Sequence, residues 1–234
     1  MDAHHLSKRL LNVAKLVPKG ARLADIGSDH AYLPAYLALK GQIEFAVAGE
    51  VVKGPFQNAQ QVVRAQGLNE QIAVRLADGL AAIEASDQID TITICGMGGT
   101  LICDILEKGK DKLVEHPFLI LQPNVGEKNV RNWLDTNGYT LVNEMIMEED
   151  GHIYEIIAAK YTATKPVLTD KEAIFGPYLL NERANAFVKK WQKEIAKSET
   201  VLAQLTKAKD VPVAKKQALE AKIEQIEGVL NGKS

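Results

Sequence analysis

The stretch Leu23-Ala24-Asp25-Ile26-Gly27-Ser28-Asp29-His30 decides the fold. Residues 21–26 read as a short apolar strand closed by Gly27, and residues 31–39 have helical spacing. A strand passing through a glycine turn into a helix opens a βαβ unit, and ligands of open parallel sheets sit at such strand ends. The alternation continues outward. Strands are predicted at 43–49, 71–76, 90–95 and 117–121. Helices are predicted at 55–66 behind Pro55, from Gly79, at 99–107 and at 126–136. Five such units call for a parallel sheet covered on both faces. Then the rhythm changes. Residues 139–147 and 152–160 are strand-like runs around Glu148-Glu149-Asp150-Gly151, a hairpin with an Asp-Gly corner.

The 234 residues, 46% hydrophobic and 25% charged, exclude wholesale disorder, collagen-like repeats and a disulfide scaffold. A chain of this length buries roughly 70% of its unfolded surface without needing a metal or disulfide. No apolar run approaches the ~20 residues of a membrane span, and Met1-Asp2-Ala3-His4-His5 holds no apolar stretch of signal-peptide type. Cys95 and Cys103 form no zinc knuckle and suit a reducing cytoplasm. The net charge of −2 splits into +4 over 1–22, −10 over 23–162 and +4 over 163–234. An acidic body with basic ends suits a polyanionic partner touching the ends, although solvated helix faces give the same pattern.

Residues 163–168 read as a linker, which divides the chain into domains 1–162 and 163–234. Beyond it, Leu180, Ala184, Phe187, Trp191, Ile195, Ser198, Leu202 and Leu205 recur at steps of four and three. Leu219, Ile223, Ile226 and Leu230 do the same after a turn at Lys209-Asp210-Val211-Pro212. The pair is an antiparallel, coiled-coil-like helical hairpin. Its stripe seals against itself or the body in a monomer; a homodimer through the stripe is the alternative.

The loops after the strands carry the chemistry. Five parallel strands followed by a hairpin are the layout of many S-adenosylmethionine (SAM) methyltransferases. Positions 29 and 32, where a dinucleotide fingerprint wants glycines, hold Asp29 and Tyr32. A pyrophosphate would meet the Asp29 carboxylate, whereas a sulfonium is attracted to acids. Glu50 at the second strand end suits the hydroxyls of an adenosyl ribose, and NAD sites place an acid there too. Asp78, beside Gly79, suits an adenine amino group; its plainer role is a helix N-cap. Gly96-Met97-Gly98-Gly99 strips side chains from the mouth of the sheet. Gln122 and Asn124 carry amides able to read a base edge. His30 suits cofactor bonding or proton transfer, or simple packing at a helix start. Glu149, His152 and Tyr154 come from the hairpin toward the substrate side.

The runs 23–34, Gly49-Glu50-Val51-Val52-Lys53-Gly54-Pro55, Asp78-Gly79-Leu80, Gly96-Met97-Gly98-Gly99 and Leu121-Gln122-Pro123-Asn124 resemble the bacterial tRNA adenine-22 N1-methyltransferases, the TrmK family. The resemblance covers the whole chain. It implies an α/β, class I SAM-dependent methyltransferase fold (Rossmann-like, seven strands, terminal hairpin) with a C-terminal helical hairpin. It also implies methylation of N1 of adenine 22 in tRNA. By the same resemblance Asp25, Gly27 and His30 belong to the cofactor loop. Glu50 holds the ribose hydroxyls, Asp78 with Gly79 the adenine, and Gly96, Met97 and Gly98 wall the methionine end. Arg9 pairs with the methionine carboxylate.

N6-methyltransferases usually carry Asn/Asp-Pro-Pro-Tyr where Gly96-Met97-Gly98-Gly99 stands. N1 of adenine has an in-plane lone pair and no proton, so no strong base is required. Asp29 is nominated to accept from the N6 amino group and stabilise the growing positive charge. The basic residues Lys8, Arg9, Lys15, Lys19 and Arg22, with Lys189, Lys190, Lys193 and Lys197, are expected to grip the tRNA backbone. No metal is expected. The rival readings are a SAM methyltransferase of rRNA, a protein or a small molecule, an NAD-dependent oxidoreductase, and a non-catalytic RNA-binding scaffold.

Overall fold

The computed structural model describes residues 1–162, 164, 167–206 and 213–232. Its seven described strands are β1 (Ala21–Ile26), β2 (Ile43–Glu50), β3 (Ile72–Leu76), β4 (Thr91–Gly98), β5 (Phe118–Val125), β6 (Tyr139–Glu149) and β7 (His152–Tyr161). They form one sheet in the order β3-β2-β1-β4-β5-β7-β6. β1 to β5 are parallel; β7 runs antiparallel between β5 and β6. The hairpin turns on Asp150 and Gly151, both with positive φ, which suits the twist of its strands. The doubly wound sheet and its terminal hairpin are the architecture expected from the sequence.

Leu23, Ala24 and Ile26 of β1 are buried, as a strand covered on both faces requires. One face packs on α1 (Lys8–Leu16), α2 (Tyr32–Leu39) and α3 (Lys53–Ala65). The other packs on the 3-10 turn Gly79–Ala82, α4 (Gly99–Lys108) and α5 (Glu127–Thr136). Fully burying one such leucine stabilises the fold by about 1.5–3 kcal/mol. No helix was expected before β1. Yet α1 starts on a Ser7 cap, whose hydroxyl accepts from Leu10 N–H, and buries Val13 and Ala14.

The C-terminal part departs from one continuous first helix. It holds α6 (Asp170–Phe175), α7 (Pro177–Glu182) and then α8 (Asn185–Leu205). Arg183, with φ of 48°, ends α7 in a left-handed cap, and Ala184 is extended before α8 begins. α9 (Val213–Leu230) returns antiparallel, with Lys222 Nζ 2.5 Å from Glu194. The expected turn at 209–212 lies outside the described residues, as does part of the 163–168 linker.

The apolar stripe is used within the chain. Phe187, Trp191, Ile226 and Val229 pack with Phe175 and Leu179, and Ile146 of β6 joins them. An ionic cluster pins the same helices to the sheet. Arg131 of α5, fully buried, donates to Glu144 of β6 (2.7 Å) and Glu155 of β7 (2.5 Å). It also donates to the carbonyls of Ala173 and Ile174. Lys190 of α8 adds its ammonium to Glu155 (2.7 Å) and Glu127 (2.5 Å). Burial opposes charge on Glu155, but Arg131 and Lys190 outweigh it and hold its carboxyl below the usual range.

Candidate active site

The loop that follows β1 is locked by its neighbours. Gly27 and Ser28 donate backbone N–H groups to Gly49 of β2, extending the ladder past Ile26. Asp25 is buried and accepts from the hydroxyls of Ser28 (2.5 Å) and Thr93 (2.7 Å). Burial raises its pKa, while those hydroxyls and Arg9 oppose the rise. Gly27 has φ of 69°, and a Cβ there would collide with the methyl of Met97. That is why this turn carries glycine.

Around the loop lies a cleft of about 330 Å³, lined among others by Arg9, Asp25, Gly27, Asp29, Gly96 and Met97. Six of the residues singled out in the sequence therefore share one cavity. Glu50 adjoins it: its carboxylate accepts the backbone N–H of Asp29. It is buried, and desolvation raises its pKa to about 7; the Asp29 bond opposes the rise, and the charges of Asp25 and Asp29 add to it. Asp78 stands one residue beyond Ala77, whose N–H bonds the carbonyl of Glu50. The Asp78 side chain is exposed and does not cap the 3-10 turn that Gly79 opens.

His30 lies outside the cleft lining. It stacks on Tyr32 at 5.0 Å, and its Nε2 is 3.3 Å from the Asn58 amide nitrogen. Its Nδ1 stands 3.0 Å from Asp29 Oδ1 without hydrogen-bond alignment. Asp29 itself is largely exposed and has a positive φ of 56°. Gly98 caps α4 beyond the cleft, with open space around its α-carbon. Burial pushes the Cys95 thiol up, so it is held protonated.

Two nominated contacts are spent internally. Gln122 is fully buried. Its Oε1 accepts from Gly96 N–H and from Arg9, and its Nε2 donates to Pro123 O and to Asn124 Oδ1. No polar atom of Gln122 is left to read a base; it braces a β-bulge of β4 at Gly96. Asn124 is exposed, and its Nδ2 donates to Gly96 O at 2.8 Å. Lys190 belongs to the buried ionic cluster and is not free for a phosphate. The signal missed for it was the acid density of its surroundings, Glu127, Glu144 and Glu155, each on a different element.

Of the remaining basic residues, Lys8, Lys189 and Lys193 converge, whereas Lys19 and Arg22 stand at the start of β1, on the opposite edge of the sheet, where Arg22 donates to Asp87 O. Lys8 Nζ donates to Glu148 O (3.1 Å), Lys189 pairs with the Glu148 carboxylate (2.5 Å), and Lys193 reaches Gly151 O (3.3 Å). One lysine of the N-terminal basic segment and two of α8 therefore meet at the hairpin tip, on the carboxyl edge of the sheet.

The cleft's donor set fits SAM. Its acids suit a sulfonium and a ribose diol, Arg9 suits a carboxylate, and the glycine turn lets a ligand approach the backbone. Sheet order and cleft together define an S-adenosylmethionine-dependent methyltransferase of the Rossmann-like class. The family model for TrmK, tRNA (adenine(22)-N(1))-methyltransferase, matches residues 23–228. The tRNA (adenine(22)-N(1))-methyltransferase of Bacillus subtilis is 43% identical over 224 residues, covering 94% of each chain. The crystal structure of the B. subtilis m1A22 tRNA methyltransferase TrmK superposes with a TM-score of 0.90 at 42% identity, over 97% of this chain and 99% of that one. A Streptococcus pneumoniae structure in complex with S-adenosyl-L-methionine gives 0.88 at 48% identity, over 97% and 100%. M. capricolum TrmK with S-adenosyl-homocysteine gives 0.86 at 30% identity, over 97% and 99%. The chain belongs to the TrmK family.

Proposed function

We infer that this protein transfers the methyl group of SAM to N1 of adenine 22 in tRNA. The observation that carries the reading is the acid-lined cleft at the carboxyl edge, joined to family membership over 23–228. Bound SAM supplies an electrophilic methyl group on a positively charged sulfur.

The residues divide the work by their chemistry. Glu50 accepts the ribose hydroxyls, and Asp78 beside Gly79 accepts the adenine amino group. Arg9 meets the methionine carboxylate. Gly27, Gly96 and Met97 wall the cofactor, Gly98 standing beyond the cleft at the start of α4, and Asp25 shapes its loop through Ser28 and Thr93. His30 acts on that loop from outside, through Tyr32 and Asn58.

The target nitrogen brings a lone pair and no proton, so no side chain has to remove one from it. The site must align N1 with the methyl–sulfur bond, an effect worth roughly 7–11 kcal/mol in favourable cases. Asp29 accepts from the N6 amino group and steadies the cation that forms. Asn124, exposed at the same rim, offers its amide to the base edge. Adenine must leave its stack to reach this depth, at a cost of a few kcal/mol. Lys8, Lys189 and Lys193 at the hairpin tip grip the RNA backbone, which makes affinity salt-dependent. No helix among the described residues is long and apolar enough to cross a membrane. A tRNA substrate makes the cytoplasm the working compartment, and the internal use of the apolar stripe supports a monomer. The division at 162 rests on the sequence pattern; the packing of the C-terminal helices on β6 and α5 joins the two parts into one body.

The test uses methyl-labelled SAM and unmodified tRNA, with nucleosides of the digested product separated by mass and retention. Label is expected in 1-methyladenosine and lost when adenine 22 is changed to guanine. Label in another nucleoside overturns the specificity; label in rRNA but not tRNA favours a different substrate.

A further inference from the structure

The tip of the β6–β7 hairpin acts on the cofactor cleft at a distance, through α1. Glu149 is the last residue of β6. Its carboxylate accepts the backbone N–H groups of Lys8 (2.5 Å) and Arg9 (3.1 Å). These are the first two residues of α1, whose N–H groups have no partner inside the helix. Negative charge is favoured there by the helix dipole as well. Ser7 caps the same turn through Leu10 N–H at 3.2 Å. One carboxylate thus sets both the start of α1 and its rotation.

Arg9 is the residue that uses this setting. Its guanidinium bonds Gln122 Oε1, and its Nη1 lies 3.8 Å from where a Cβ on Gly96 would sit. It also lies 5.5 Å from the Tyr154 ring centre. Its charge reaches Asp25 and Cys95. Arg9 sits in the first turn of α1, so fraying of that turn releases the backbone that aims its guanidinium at the cleft. The neighbouring acid does something else: Glu148 turns to Lys189 of α8.

We propose that Glu149 is a positioning residue for SAM, which it serves by capping α1 and so fixing Arg9 where the cofactor's carboxylate meets it. The proposal rests on the reading of Arg9 given above. Glu149 touches neither cofactor nor base; it acts through Arg9.

The experiment is a double-mutant cycle on the full chain, with SAM affinity read by calorimetry and kcat read at saturating SAM. Arg9→Ala is expected to weaken SAM about tenfold or more, a typical loss for a charged bidentate partner. Glu149→Ala is expected to weaken it about three- to tenfold, the size of a lost helix cap, with kcat within about twofold. In the Arg9→Ala background, Glu149→Ala should cost no further affinity. Glu149→Gln, which keeps one acceptor oxygen, should recover part of the loss. Equal losses from Glu149→Ala in both backgrounds mean a general structural role and overturn the proposal. Unchanged affinity in Glu149→Ala beside a weakened Arg9→Ala also overturns it, leaving the reading of Arg9 intact. Unchanged affinity in Arg9→Ala overturns both.

Discussion

With Glu50 in the role proposed for it at the ribose, SAM binding is expected to depend on pH, with a sign and a size. Burial at the end of β2 raises its carboxyl from 4.5 to about 7, so the free protein prefers it neutral at mild acidity. Ribose hydroxyls donating to the carboxylate favour the ionised form. Binding therefore expels a proton wherever the free protein still holds one. With a pKa of about 7, the carboxyl is about one-tenth ionised at pH 6 and about nine-tenths at pH 8. SAM affinity should rise about tenfold over that interval and flatten above it. Calorimetry in two buffers of different ionisation enthalpy should show about 0.9 proton released per SAM at pH 6. Glu50→Gln should bind more weakly and without the pH slope. The free protein carries the complementary effect. A raised carboxyl stabilises the fold fully below the unfolded value of 4.5 and loses that contribution as pH rises through 7. About 3 kcal/mol is at stake, so Glu50→Gln should resist urea better than the parent at pH 8 and not at pH 4.5. Histidine is the other side-chain type that titrates near neutrality, so His30→Gln, which keeps Glu50, serves as the control and should retain the slope. A wild-type affinity flat from pH 5.5 to 8, or a slope that survives in Glu50→Gln, would refute the reasoning.

Three further outcomes are expected. Asp29→Ala should keep SAM affinity within about threefold, because Glu50 is bonded by the backbone N–H of that residue, while kcat falls about ten- to a hundredfold for loss of one charge-stabilising group; single-turnover kinetics with near-normal rates would remove Asp29 from the mechanism. Gly27→Ala places a Cβ against Met97 at positive φ, costing about 1–2 kcal/mol in backbone strain alone, and should weaken SAM at least tenfold in a calorimetric titration. Lys189→Ala should lower tRNA affinity and flatten its salt dependence with no change in thermal stability, whereas Lys190→Ala should lower stability by about 1.5–3 kcal/mol, because buried Glu155 loses one of its two cations; gel-shift and urea titrations of both variants separate these roles.

Local signals in the sequence reach the strands and helices of the sheet to within a few residues. Asp25 to Asp29, Glu50 and Asp78 follow strands whose apolar runs are long enough to locate, so their common edge was readable. α1 was legible in principle, since Ser7 precedes apolar residues at helical spacing. Its three lysines and arginines dilute that apolar signal. The break at Arg183 was not legible, because the apolar steps of four and three continue through it while the backbone does not. Gln122 and Lys190 show the sharper limit. Each has the composition of a contact residue, and each is consumed by partners distant in sequence: Gln122 by Arg9 and Gly96, Lys190 by Glu127 and Glu155. Which amide or ammonium faces solvent depends on tertiary pairing, and one-dimensional spacing does not encode that.

The position of β7 has a consequence for how the chain comes into being. β7 is the last strand made, yet it sits inside the sheet, between β5 and β6. A nascent chain with everything up to residue 138 exposed from the ribosome carries five paired strands and the bare edge of β5, an adhesive row of backbone groups. The edge closes when the hairpin docks with β7 inward. The same event delivers Glu149 to α1 and Tyr154 to Arg9. Closing the sheet and completing the arginine's mounting are one step in assembly, so a chain truncated before the hairpin would leave the β5 edge bare and Arg9 without Glu149 and Tyr154.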